Sequence, residues 1–100
     1  MAFDPGALNA SLAAAVGSDS ALMAELKLAF VDSVARQLDL LSRARCDANW
    51  AIAAARLKSI AASFGATGLI ALADEALDGA PGDPVVLRKI AAAIDDFNAA

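Results

Sequence analysis

Few residues in this chain are of a type and spacing that could do chemistry. Asp74 with Glu75, and Asp95 with Asp96, are the closest carboxylate pairs. Neighbouring positions on a helix point about 100° apart, so neither pair converges on one substrate, and both read as solvated faces. Cys46 is the single thiol, and histidine is absent from the sequence. Zinc sites built on Cys and His are thereby excluded, as are nucleophile arrangements of the Ser-His-Asp or Cys-His kind. Gly65 and Gly68 bracket a turn without the lysine spacing of a phosphate loop. No metal and no cofactor are expected. What remains is a mid-chain set, Ala51, Ile52, Ala55, Arg56, Lys58, Ser59 and Ala62, in which two cations and a hydroxyl punctuate small apolar side chains. Such a set offers a surface for binding rather than groups for catalysis.

The elements that must position this set are helical. The chain has 28 Ala and only 11 β-branched residues in 100, a composition that favours helix over strand and defines an all-α class. Ala buries little area, so Leu, Ile, Val, Phe, Met and Trp must carry the core. A short first helix is expected over residues 5–16, with Leu8, Leu12 and Val16 on one face, a stop at Gly17, and Ser18 and Asp19 as cap-type residues. A long second helix follows over 20–44, where Met23, Leu26, Phe30, Val34, Leu38 and Leu41 trace one stripe. Asp47 caps a third helix that runs to residue 64 and stops at Gly65. A fourth, over 66–77, carries Leu69, Leu72, Ala73 and Ala76 and ends at Gly79. After the turn at 80–83, Asp83 and Pro84 are a cap and first-turn proline for the last helix, in which Leu87, Ile90, Ile94 and Phe97 recur at helical spacing. One domain over 1–100 is expected: an antiparallel four-helix bundle with a short additional N-terminal helix packed against it.

A net charge of −4 and a pI near 4.4 argue against nucleic acid as a partner, since such binding needs a basic stripe. The longest uncharged run, residues 59–73, is too short to span a bilayer, so no membrane segment is expected. Asp4 sits early and no basic stretch precedes an apolar one, against a signal peptide. A lone cysteine cannot form an intramolecular disulfide and fits a reducing compartment, so a cytoplasmic protein is expected. Cys46 itself reads as a small packed residue.

The third helix is unusual on its outer side. Trp50, Ala54, Leu57, Ala61 and Phe64 are spaced to point inward, with Trp50 sealing one end of the core. The opposite side carries Ala48, Ala51, Ile52, Ala55, Ser59, Ala62 and Ala66, where a free-standing domain would place Lys, Glu or Gln. On the wheel alone two readings stand: an exposed apolar strip that docks another protein, or good helix formers covered on both sides by the chain itself.

Residues Ala54 to Ala66, A-A-R-L-K-S-I-A-A-S-F-G-A, resemble the signature of the histidine-phosphotransfer (HPt) family, in which His is followed by Lys at +3, Gly at +4 and Gly at +10. Lys58 and Gly65 fall on two of those positions, Ser59 replaces the first glycine, and Ala55 stands at the phosphoacceptor position. The run from Leu12 to Phe30, L-x-x-x-V-G-S-D-x-x-L-x-x-E-L-x-x-x-F, is similar to the lead-in of bacterial HPt domains, and the stretch after Gly65 through the G-A-P-G-D turn is similar to their closing half. The resemblance implies that the outer face of the third helix meets the receiver domain of a response regulator or hybrid sensor kinase, which favours the docking reading.

It also implies that phosphate transfer is lost, because Ala55 offers a methyl group where a nucleophilic imidazole is needed and no other histidine can substitute. A phosphoester on Ser59 would be a poor donor back to an aspartate. Replacing an exposed His by Ala changes stability by no more than about 0.5 kcal/mol, so the fold can outlive the chemistry. Lys58 would keep only the role of a cation facing the partner's carboxylates. The expected protein is a non-enzymatic, monomeric receiver-binding module of two-component signalling. Two alternatives remain open: an active phosphocarrier carrying an engineered His-to-Ala change, and a helical domain that self-associates through the Ala strip.

Overall fold

The computed structural model describes residues 19–99, all of whose regular structure is helical. There are four helices among them: α1 (Ser20–Arg43), α2 (Asp47–Ser63), α3 (Thr67–Asp78) and α4 (Pro84–Ala99). The short helix expected over residues 5–16 lies outside the described residues. Observed boundaries differ from the expected ones by a single residue at most ends, as fraying and capping allow.

Each boundary has a local cause. The Asp19 carboxylate accepts the Leu22 N–H at 2.9 Å and opens α1. Asp47 does not cap α2 but is its first residue, with Cys46 in the extended cap position. The end of α2 is a Schellman turn: Gly65, at φ 68°, donates to the Ala62 carbonyl at 3.2 Å, and Ala66 donates to the Ala61 carbonyl at 2.9 Å. The left-handed φ at Gly65 is what lets both bonds form. Before α4, the Ala80–Asp83 turn is closed by the Asp83 N–H on the Ala80 carbonyl at 3.1 Å, with Pro81 second and Gly82, at φ 82°, third. Asp83 then caps α4 by accepting the Val85 N–H at 2.9 Å.

The helices close into a ring around one core, each packed on its neighbours in sequence and α4 back on α1. The buried set is Phe30, Val34 and Leu41 from α1, Trp50, Ala53, Ala54, Leu57 and Ala61 from α2, Leu69, Ala73 and Ala76 from α3, and Val86, Ile90, Ala93, Ile94 and Phe97 from α4. Met23, Leu26, Leu38, Phe64, Leu72 and Leu87 pack partly buried against it. Phe30 is the aromatic hub: its ring centroid lies 4.8 Å from that of Phe64 and 5.1 Å, edge-on, from that of Phe97. Among the described residues, no helix is long and apolar enough to cross a membrane.

At the opposite end of α2 the Trp50 ring is 2% exposed, and its indole N–H donates to the Ala76 carbonyl at 2.7 Å. That carbonyl lies in the last turn of α3 and also accepts the Gly79 N–H at 3.0 Å, so the indole takes its second acceptor site. Trp50→Phe should cost about 1 kcal/mol, the usual worth of one such bond. Trp50→Ala, which also opens a cavity, should cost about 3–5 kcal/mol. Urea denaturation followed by circular dichroism measures both.

Candidate functional site

Trp50 and the Schellman turn fix α2 at its two ends, and the row Ala53, Ala54, Leu57 and Ala61 packs between them. The rotation of α2 follows, and with it the side that faces out. Ala51, Ile52, Ala55, Arg56, Ser59 and Ala62 are all exposed. Ile52 retains 49% of its accessible surface, high for a branched aliphatic residue.

The site is a groove shared with α1. One depression, of about 330 Å³, is lined by Leu40, Arg43 and Ala44 at the end of α1 and by Asn49, Ile52, Ala53 and Arg56 of α2. A second, of about 350 Å³, is lined by Gln37 of α1 and by Ala55, Arg56, Ser59 and Ile60 of α2. Arg56 lines both and stands between them. Leu40 is 47% exposed, so Leu40 and Ile52 form an apolar pair across the two helices. Gln37 contributes a buried Oε1 with no hydrogen-bond partner.

Of the seven residues expected to form a docking face, Ile52, Ala55, Arg56 and Ser59 come together in this groove. Ala51 and Ala62 are exposed on the same helix without lining either depression. Lys58 goes elsewhere. It is half-buried on the flank towards α3, with its ammonium 2.7 Å from Asp74 Oδ1.

Several sequence-based expectations are corrected. Ala66 is not on the outer strip: the Schellman turn folds it into the core, where it is fully buried as the N-cap residue of α3. Cys46, expected to be packed, is exposed at the turn into α2. Asp74 and Glu75, expected to be merely solvated, each hold a cation from a neighbouring helix, Lys58 and Lys89 respectively. The sequence places the interface on the second and third helices but does not single out the α1 residues that line the groove, Gln37, Leu40 and Arg43. The signal for this wall is Leu40, one apolar residue too many beside Leu38 and Leu41 for a single stripe.

Ser59 Oγ has no base beside it among the residues lining its depression, and no group of three or more metal-ligating side chains occurs among the described residues. Small and aliphatic side chains line the groove together with two guanidiniums, Arg43, paired with Asp39, and Arg56, in no ion pair among the described residues. Comparison with family models, with curated proteins and with solved structures finds no match for this chain.

The adjacent pair Ala54 and Ala55 tests the rotation of α2. Ala54 is fully buried and Ala55 exposed, so Ala54→Glu should destabilise by more than about 3 kcal/mol by burying an unpaired charge. Ala55→Glu should stay within about 0.5 kcal/mol of the parent. Thermal melts of the two variants side by side provide the measurement.

Proposed function

We propose that this chain is a pseudo-HPt domain, an antiparallel four-helix bundle that binds receiver domains of two-component signalling proteins without carrying phosphate. The observation that carries the proposal is the position of Ala55: it is exposed, in a groove between two helices, and stands where the family pattern places the reactive histidine. A residue in that position is accessible to a partner active site, and a methyl group there can make contact but cannot accept a phosphoryl group.

Two further features support the reading. Four helices packed in a ring with short turns are the frame the resemblance implies. The groove combines apolar residues, Leu40, Ile52 and Ala55, with polar and charged ones, Gln37, Asn49 and Arg56, as transient docking faces do. The interface would be small, at or below about 1,200 Å² in total, which suits a reversible signalling contact. The domain would act by occupancy: it competes for a receiver, sequesters it, or holds it in one state.

The test is a binding assay against an array of purified receiver domains from the source organism, with a phosphorylated receiver included to follow label transfer. At least one receiver should bind, and no phosphate should move to this chain. Ile52→Glu should abolish that binding while leaving the melting curve unchanged. Capture of no receiver would sink the proposal, as would stable label on the wild-type chain. Ala55→His separates natural from engineered loss: rapid phosphate uptake by that variant means a site otherwise intact, and none means a face specialised for binding alone.

A further inference from the structure

The charge of this protein is divided between its two halves. Residues 19–63 hold six Lys and Arg against five Asp and Glu, a net of +1, whereas residues 64–99 hold two against six, a net of −4; Asp4 completes the overall −4. In the acidic half Lys89 is bound to Glu75 at 3.1 Å while Arg88 is exposed and in no ion pair among the described residues, and Lys58, from α2, is drawn across to Asp74 at 2.7 Å. Arg43 pairs with Asp39 on its own helix at 3.2 Å. Arg36, Arg45 and Arg56, all exposed on the α1–α2 hairpin, take part in none of these pairs. The uncommitted positive charge of the hairpin thus borders the apolar groove, with Arg56 within it, Arg36 one helical turn before Leu40, and Arg45 in the turn beyond Ala44.

We infer that Arg56, and not Lys58, is the cationic anchor of this groove, and that the partner surface it receives is apolar with a carboxylate placed to meet Arg56. This rests on the docking function proposed above and names the chemistry of the surface that docks. A guanidinium presents a planar fork of donors that matches a carboxylate in two bonds, which an ammonium does not. Arg56 stands between the two depressions and has no carboxylate of its own to release, so pairing with a partner carboxylate breaks nothing. Lys58 would first have to leave Asp74. The −4 half of the molecule repels an acidic partner and orients its approach to the hairpin, an effect felt mainly in the association rate.

The experiment uses each purified receiver domain that binds the wild-type chain, and compares Arg56→Glu, Arg56→Lys and Lys58→Ala by titration at 50 and 500 mM salt. Arg56→Glu should weaken binding about tenfold or more at low salt, most of it in the association rate, with the difference shrinking at high salt as screening sets in. Arg56→Lys should recover part of the loss. Lys58→Ala should change affinity less than about twofold. The inference is overturned if Arg56→Glu binds like the parent, if Lys58→Ala loses as much, or if affinity is indifferent to salt; in those cases receiver binding itself stands. Binding of no receiver to the wild-type chain removes both proposals together.

Discussion

The rotation of α2 is the constraint on which everything else in this structure depends, and one hydrogen bond does most to set it. An indole N–H buried without an acceptor would cost as much as the bond is worth in isolation, so Trp50 must point at the end of α3 and stay there. At the other end of the helix, Phe64 is held against Phe30 and the chain reverses through Gly65. A turn of 100° about the helix axis, the angle between successive residues, would break both contacts and exchange Ala54 for Ala55 in the core. Between the anchors α2 buries mainly alanines, which pack a neighbouring helix closely but discriminate weakly among rotations. Trp50 and Phe64 supply the discrimination that the alanines lack.

Holding α2 in this rotation has an electrostatic consequence. The flank towards α3 receives Lys58 and meets Asp74; the flank towards α1 receives Arg56, which lines a groove with Gln37, Leu40, Arg43, Asn49 and apolar groups but no carboxylate. Ion pairs as exposed as Lys58–Asp74 add at most about 1 kcal/mol to stability. Their greater effect is on distribution. Lys58–Asp74 ties one hairpin cation to the acidic half, which leaves Arg36, Arg45 and Arg56 as the hairpin cations outside the ion pairs. A chain whose overall charge is −4 therefore presents one face that an acidic surface can approach.

How much of this was legible in the sequence follows from what each feature depends on. The inward row of α2 was readable because Trp50, Leu57 and Phe64 are large and fall at helical spacing, and the turns were readable from Gly65, Pro81-Gly82 and Asp83-Pro84. Ala53 and Ala66 were not, because an alanine is equally at home in a core or on a surface and only its neighbours decide. Cys46 belongs to the same class. The partner of Lys58 was illegible for a different reason: Asp74 lies on another helix, and the distance between them exists only once α2 and α3 have packed. The α1 wall of the groove fell between these cases. Leu38, Leu40 and Leu41 cannot all lie on one narrow stripe, and that excess was the available sign that α1 faces something besides its own core.

The outer face of α2 also divides residues that hold the fold from residues free to change. Residues that hold the helix in place, Trp50, Leu57 and Phe64, are buried or partly buried and touch no partner; residues that a partner would touch, Ile52, Ala55 and Arg56, are exposed and hold nothing in place. Substitution at an exposed position such as Ala55 is nearly free in folding energy. An apolar groove of the kind formed by Leu40 and Ile52 is less free, because unoccupied it invites nonspecific association. On the proposed reading, a face with exposed aliphatic residues, a guanidinium in no ion pair among the described residues and a methyl group at Ala55 has the features that recognition needs and lacks the one that transfer needs.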